Sequence, residues 1–171
     1  MKLIKLTALP LLIFSLVLVS LLSCEPDAEM KRTTEFQKNG IVMTGAQESP
    51  VSASAATGLL DVSYSKDTRT LTYKVTWTGL TDSLSLMHIH GLAPVGFSAG
   101  VVQNIVTTSN GIFNQKTNGK FTFFKSGTLS GTMLVDGVVV KEADLLNGLY
   151  YLNIHTATYP SGEIRGQIRF Q

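Results

Sequence analysis

The sequence predicts an all-β fold, an antiparallel β-sandwich or Greek-key-like barrel of about seven to nine strands. Apolar and polar side chains alternate from Arg69 to Thr78, which is typical of a strand with one buried face. Glycines recur at turn-like spacing from Gly79 to Gly162. The one helical pattern is a single turn at 142–147, closed by Gly148, and it is too short to cover a parallel sheet.

The remaining strands are predicted from the same signals. Leu60, Val62 and Tyr64 form an apolar stripe that a turn at 65–68 joins to the 69–78 strand as a hairpin. Further strands are expected at 39–45, 84–90, 100–106, 120–125, 128–135, 149–156 and 163–170. These segments place one domain at 39–171.

The N-terminus predicts export. Two lysines precede an apolar run from Leu6 to Leu22, the layout of a secretory signal. The run ends in Leu21-Leu22-Ser23-Cys24, which resembles the lipobox of bacterial lipoproteins, where the cysteine is acylated and becomes the new N-terminus. We therefore expect a cleaved signal peptide at 1–23 and a lipid on Cys24, the only cysteine. A secreted protein with an unpaired cysteine, or an uncleaved anchor, is the alternative.

A polar segment separates this anchor from the domain. Residues 24–38 mix both charges without periodicity and predict a flexible tether. The resulting location is the cell envelope, with the lipid in the outer membrane, on its periplasmic face or at the cell surface.

Charge and motifs exclude several function classes. Lys and Arg number 14 against 12 Asp and Glu, and two of the lysines belong to the predicted signal. The mature chain is therefore close to neutral, and we expect no nucleic-acid partner. No Gly-x-Ser-x-Gly elbow, phosphate-binding glycine loop or spare cysteine nucleophile is present. We predict no catalytic residue, which favours a protein that is not an enzyme.

The three histidines lie on predicted strands. His88 and His90 stand two residues apart, so a strand places both on one face. His155 shares a face with Asn153, opposite aliphatic neighbours, and Arg165 lies on the polar face of the last strand. By parity alone, all of these side chains point away from the predicted core.

Two interpretations of the histidines remain open. Neutral imidazoles bind copper and zinc, and three of them around an open position form a site for either metal. Alternatively, they hydrogen-bond loop backbone and hold the loops at 91–100 and 156–162 against the sheet.

The neighbouring polar residues allow a similar choice. Arg165 either draws an anion toward the histidines with its fixed fork of donors or pairs with Glu163 or Glu48. Asn153 either orients His155 from behind the metal or is a polar residue on a solvated face.

Several of these segments resemble the CHRD (chordin) domain. The matching stretches are His88-Ile89-His90-Gly91, 149–157, 160–168, 45–51, 56–58 and 71–75. The family occurs repeated in chordin, an extracellular antagonist of bone morphogenetic proteins, and singly in exported bacterial proteins, and it has no settled biochemical activity. A looser similarity is to the Cu,Zn superoxide dismutase sandwich, in which a His-x-His strand, a later His and a C-terminal Arg surround copper outside a β-barrel.

These observations predict a lipid-anchored envelope module with a binding or adhesion function. Its expected partners are the membrane, through the lipid on Cys24, and an extracellular protein or glycan. The alternative is a copper- or zinc-binding protein that uses His88, His90 and His155, with a redox role.

Overall fold

Eight antiparallel strands form one nearly closed, barrel-like sheet, which confirms the predicted all-β class. The computed structural model describes residues 34–107, 116, 117, 120, 121 and 125–171. Its strands are β1 (Glu35–Thr44), β2 (Thr57–Ser65), β3 (Thr70–Thr78), β4 (Leu84–Gly91), β5 (Val101–Val106), β6 (Lys116–Thr117), β7 (Lys120–Phe121), β8 (Gly127–Leu134), β9 (Tyr150–Thr156) and β10 (Ile164–Gln167). The predicted signal peptide, Cys24 and residues 122–124 of the predicted 120–125 strand lie outside the described residues.

One short helix accompanies the strands. It is α1 (Glu142–Leu146), in the place where the sequence predicts a single turn, and Asn147 caps its C-terminal end. In the described part of the chain no helix is long and apolar enough to span a membrane.

The predicted tether at 24–38 needs correction at its C-terminal end. Residues 35–38 belong to β1, where they pair with β2, and the Phe36 ring packs on Tyr64. A shift of register follows these residues, with Gly40 in the left-handed region at φ +68°. This β-bulge interrupts the alternation of polar and apolar residues, and so the sequence pattern hides the start of the strand.

The core fills the inside of the barrel. The β3 side chains alternate as predicted, since Leu71, Tyr73, Val75 and Trp77 are buried between exposed polar neighbours. β2 and β3 form the predicted hairpin through an uninterrupted ladder. Burial of apolar surface of this kind contributes roughly 25 cal/mol per Å² and stabilises the barrel.

The barrel closes through a side chain. The sheet order is β5-β4-β9-β10-β1-β2-β3-β8, so β5 and β8 are its two edges. The Gln103 side chain donates a hydrogen bond from Nε2 to the Thr132 carbonyl at 2.9 Å across this seam. No backbone ladder joins the two edges within the described ranges.

A second buried layer lies outside the barrel. β4, β9 and β10 are neighbours, and loops cover their outward-facing side chains. One is the cover loop, residues 92–100, which Ser98 ties to the 45–56 loop by donating to the Ser49 carbonyl at 2.6 Å. The wall formed by these three strands therefore has an apolar inner face and a buried polar outer face.

Candidate metal centre

Three histidines meet on the outer face of β4 and β9. The antiparallel ladder between these strands sets His88 opposite Asn153, which brings His155 beside the β4 histidines. One ring nitrogen from each of His88, His90 and His155 lies within 4.8 Å of the others. The three side chains face away from the core, as their parity predicts, but the loops bury them to 6–8 % exposure.

Two of the rings already have nearly the spacing of metal ligands. His88 Nδ1 and His155 Nε2 lie 3.1 Å apart, and the ring planes meet at 61°. Two nitrogens that bind one tetrahedral zinc at 2.0–2.1 Å are about 3.4 Å apart. A small adjustment of side chains is therefore sufficient for both nitrogens to bind a single ion.

Hydrogen bonds to loop carbonyls determine which nitrogens carry lone pairs. His90 Nδ1 donates to the Ala99 carbonyl at 2.9 Å, and His155 Nδ1 donates to the Pro160 carbonyl at 3.0 Å. A neutral imidazole has one N–H, so Nε2 of each ring is an acceptor. Among the described residues His90 Nε2 is buried without a hydrogen-bond partner. Such a lone pair can accept a hydrogen bond or bind a metal ion.

The histidine cluster has more acceptors than donors. His155 Nε2 faces the Asn153 Oδ1 atom at 3.0 Å as well as His88 Nδ1. With the His155 proton on Nδ1, neither His155 Nε2 nor Asn153 Oδ1 supplies a hydrogen to the other. A metal ion bound to Nε2 removes this mismatch, because it takes the lone pair that otherwise faces an oxygen.

Burial keeps the imidazoles neutral. Desolvation lowers the pKa of His88 from 6.5 to about 4, with further lowering by the charges of His155 and His90. Desolvation is also the largest cause that lowers the pKa of His90 and of His155. Metals bind the neutral form of imidazole, so near pH 7 no proton has to leave before an ion enters.

Asn153 connects the histidines to a buried carboxylate. Its side chain hydrogen-bonds Glu48, as does the Ser49 backbone N–H. Burial raises the pKa of Glu48 to about 7, although the Arg165 charge and these hydrogen bonds lower it. Glu48 Oε1 is buried without a partner, and Glu48 packs so tightly on Gly162 that a side chain there would collide with the carboxylate.

Arg165 fastens the cover loop to the barrel wall. Its Nη1 atom donates to the Phe97 carbonyl at 2.7 Å, and Nη2 donates to the Pro94 carbonyl at 3.3 Å and to Gln167 Oε1 at 2.7 Å. Among the described residues Arg165 takes part in no ion pair. The side chain is 1 % exposed, so its charge is held inside the protein.

A stack of rings joins Arg165 to the histidine cluster. The guanidinium Cζ lies 3.4 Å from the centroid of the Tyr151 ring. His90 stacks on the same ring, with centroids 4.9 Å apart and planes 4° from parallel. Tyr151 on β9 therefore separates the charge of Arg165 on β10 from a candidate ligand on β4.

Glu163 lies in a different cluster. Its carboxylate accepts hydrogen bonds from Ser54 Oγ at 2.7 Å, from Thr81 N at 2.8 Å and Oγ1 at 3.0 Å, and from Thr156 Oγ1. We call these four residues the carboxylate cluster. Glu163 therefore fastens two loops to β9, and it does not contact Arg165 or the histidines.

The sequence names Glu48 as one of two carboxylates for Arg165, but it does not place Glu48 beside Asn153. Glu48 lies in a loop between the 3₁₀ turn Gly45–Gln47 and β2, and no periodicity indicates which way its side chain points. The one available signal is that Glu48 belongs to the 45–51 stretch that resembles the CHRD opening.

Comparison with known families agrees with the motifs. A family model for the CHRD domain matches residues 40–168. This chain belongs to the CHRD family. The match includes the three histidines, Asn153, Glu48 and Arg165, so the candidate centre lies wholly inside the CHRD domain. Searches of curated proteins and of solved structures give no significant match.

Proposed function

We propose that this CHRD protein binds copper or zinc through His88, His90 and His155. The observation that carries the proposal is the convergence of three neutral imidazoles in a buried position, with an unpartnered lone pair on His90 Nε2. Unsatisfied polar atoms are rare inside native proteins, and an ion that binds there explains this one.

The surroundings favour a preformed site. Loop carbonyls accept hydrogen bonds from Nδ1 of His90 and from Nδ1 of His155. The Asn153 side chain contacts the opposite nitrogen of the His155 ring, Nε2. Ligating histidines in proteins usually donate their second N–H in this manner, which fixes both tautomer and ring orientation. Three protein ligands leave a further coordination position for water or a small ligand, and a redox role remains open if the ion is copper.

The test is a titration of the full chain with Cu²⁺ and with Zn²⁺, measured by calorimetry and by metal content after gel filtration. We expect one ion per chain, and its loss in the double variant His88→Ala/His155→Ala. A Cys24→Ser background removes the thiol as a competing ligand, and Gln103→Ala is the matched control because it removes a buried amide at the seam.

Absence of metal binding would contradict the proposal. If the wild-type chain binds no ion above background and the double variant only melts at a lower temperature, the histidines are loop supports and the proposal fails.

We propose further that a lipid on Cys24 holds the protein at the cell envelope. The support is the lipobox-like Leu21-Leu22-Ser23-Cys24 after an apolar run. Cys24→Ala should move the protein from the membrane fraction to the soluble fraction, and radiolabelled palmitate should label the wild type alone. Retention of Cys24→Ala in the membrane would contradict the anchor.

A binding or adhesion module is the second candidate. One observation favours it: residues 83–115 contain no charged side chain, and Leu92, Val95 and Phe97 of the cover loop are about half exposed or more. Depletion of charge with exposed aromatic and aliphatic groups is typical of interface centres. Phe97→Ser should lower the adhesion of protein-coated beads to immobilised extracellular proteins or glycans, whereas Val138→Ser, on a remote exposed valine, should not.

A further inference from the structure

The ligands of the candidate centre bring no negative charge. The group that converges consists of three imidazoles, and in the part of the chain that the structure describes it includes neither a carboxylate nor a thiolate. A divalent ion in this position therefore keeps its full double charge, and a monovalent ion keeps half as much. In a buried site the difference matters, because electrostatic energies grow as the effective dielectric constant falls.

A fixed positive charge lies close to the site. The Arg165 guanidinium covers one side of the Tyr151 ring on which His90 stacks, and its charge acts on His90. Arg165 stays protonated in proteins, so any ion bound at His90 is repelled by it. The repulsion is twice as large for a divalent ion as for a monovalent one.

One carboxylate balances this arginine, and none remains for the metal. Glu48 is the carboxylate whose charge acts on Arg165 among the described residues. Glu163 is buried as well, but its oxygens accept hydrogen bonds within the carboxylate cluster. Among the described residues it makes no hydrogen bond or ion pair with Arg165 or with the three histidines.

The number of ligands in the cluster also favours a monovalent ion. Copper(II) prefers tetragonal sites with nitrogen and oxygen ligands, and zinc held by three histidines takes a fourth ligand such as water. The cluster offers three ligands crowded within 4.8 Å, under loops whose carbonyls already accept the Nδ1 protons. Copper(I) is satisfied by three nitrogen ligands.

We propose that the His88–His90–His155 site selects monovalent copper, Cu(I), over Cu(II) and Zn(II), and that Arg165 and Glu48 set this preference through their charges. The inference rests on the proposed metal-binding function. Arg165 raises the preference for Cu(I), and Glu48, as the compensating anion, lowers it.

The experiment compares dissociation constants for the full chain carrying Cys24→Ser, at pH 8. Cu(I) affinity is measured without oxygen, with ascorbate present, by competition with bicinchoninate. Cu(II) and Zn(II) affinities are measured by competition with chromophoric chelators. We expect Cu(I) to bind at least about tenfold more tightly than either divalent ion, and the copper reduction potential to rise on binding.

Glu48→Gln tests the origin of the preference. It keeps the size of the side chain and removes its charge, so the ratio of Cu(II) to Cu(I) dissociation constants should rise about tenfold and the reduction potential should rise with it. Asp61→Asn is the matched control, because it removes one negative charge on β2 while it keeps the Oδ1 atom that accepts from Gly40 N at 2.8 Å. In Asp61→Asn the ratio of Cu(II) to Cu(I) dissociation constants should stay within about twofold of wild type.

The outcomes separate the two proposals. Binding of Zn(II) or Cu(II) as tight as that of Cu(I), or an unchanged or lower ratio in Glu48→Gln, overturns the Cu(I) preference and leaves the metal site standing. Absence of binding for all three ions overturns the metal site itself, and the preference with it.

Discussion

Two buried polar clusters lie on the same wall of this barrel, and they differ in how their hydrogen bonds are satisfied. In the carboxylate cluster, both oxygens of Glu163 accept hydrogen bonds from Ser54, Thr81 and Thr156. In the histidine cluster, by contrast, His155 Nε2 faces the Asn153 oxygen as well as His88 Nδ1, and among the described residues His90 Nε2 has no partner. The first set of groups is complete as it stands, and the second keeps an acceptor without a donor among the described residues.

The difference separates polar groups whose hydrogen bonds are satisfied from groups that keep an open lone pair. A buried carboxylate with a donor for each lone pair rigidifies the loops that it joins, and nothing further is needed to explain it. A buried acceptor without a donor costs free energy, and such local defects are expected where a ligand binds. The Glu48 carboxylate, with its raised pKa and an unpartnered oxygen, belongs with the histidines in this respect.

Removal of Glu163 should have the largest effect on stability. Glu163→Ala leaves its four donors buried without an acceptor, so we expect the free energy of unfolding to fall by roughly 4 kcal/mol. Chemical denaturation at pH 7 measures it. Lys66→Ala is the comparison, since it removes the half-exposed ion pair with Glu142, which should contribute less than about 1 kcal/mol, and leaves the Tyr64 hydrogen bond to Glu142 in place. Equal losses in the two variants would contradict the structural role of the carboxylate cluster.

Glu48→Gln should raise the free energy of unfolding, by an amount that depends on pH. In the folded wild type the pKa of the Glu48 carboxyl is about 7, against an ordinary value of 4.5, so the stabilisation from its protonated form is fully present below pH 4.5 and is lost as pH rises to 7. The variant should match the wild type near pH 4.5 and exceed it by roughly 3 kcal/mol above pH 7.

The readout for this prediction is the difference between the two stability curves from pH 4 to 8. Lowered histidine pKa values act on both proteins alike, because the stability that they contribute is lost as pH falls below 6.5. A difference that does not grow with pH would mean that the Glu48 carboxyl is not desolvated.

Asn153→Ala should have the smallest effect on the fold and a selective effect on metal. The amide lies against His155 Nε2 and hydrogen-bonds Glu48, so its loss should weaken metal binding about 10- to 100-fold. Calorimetric titration measures the change, and Gln103→Ala controls for loss of a buried amide elsewhere. Equal metal affinity in Asn153→Ala and wild type would remove Asn153 from the centre.

Strand periodicity predicts the direction of the side chains in this site but not the loops that cover them. The alternation in β4 and β9 is sufficient to set His88, His90 and His155 on an outward face. The alternation in β10 gives the Arg165 side chain the same outward direction. It does not reveal that loops bury this face. The cover loop takes its path from contacts between residues far apart in sequence, such as Ser98 with Ser49 and Arg165 with Phe97.

The same limit applies to Glu48 and to the start of β1. Glu48 is one carboxylate among 12 acidic residues, and only the folded path of its loop brings it to Asn153. Residues 35–38 lack a readable pattern because the bulge at Gly40 falls between them and the rest of the strand.

The side-chain closure between β5 and β8 has a consequence for how the molecule opens. A seam held by the Gln103 side chain is weaker than a ladder of backbone hydrogen bonds, so local opening should begin there. β4 and β9 lie inside the sheet with ladders on both sides, whereas β10 has a four-residue ladder to β9 and a single residue pair to β1. Amide hydrogens at the seam should therefore exchange with solvent deuterium first and those of β4 and β9, the strands that carry the three histidines, last. The ligands would then keep their arrangement while the barrel opens locally.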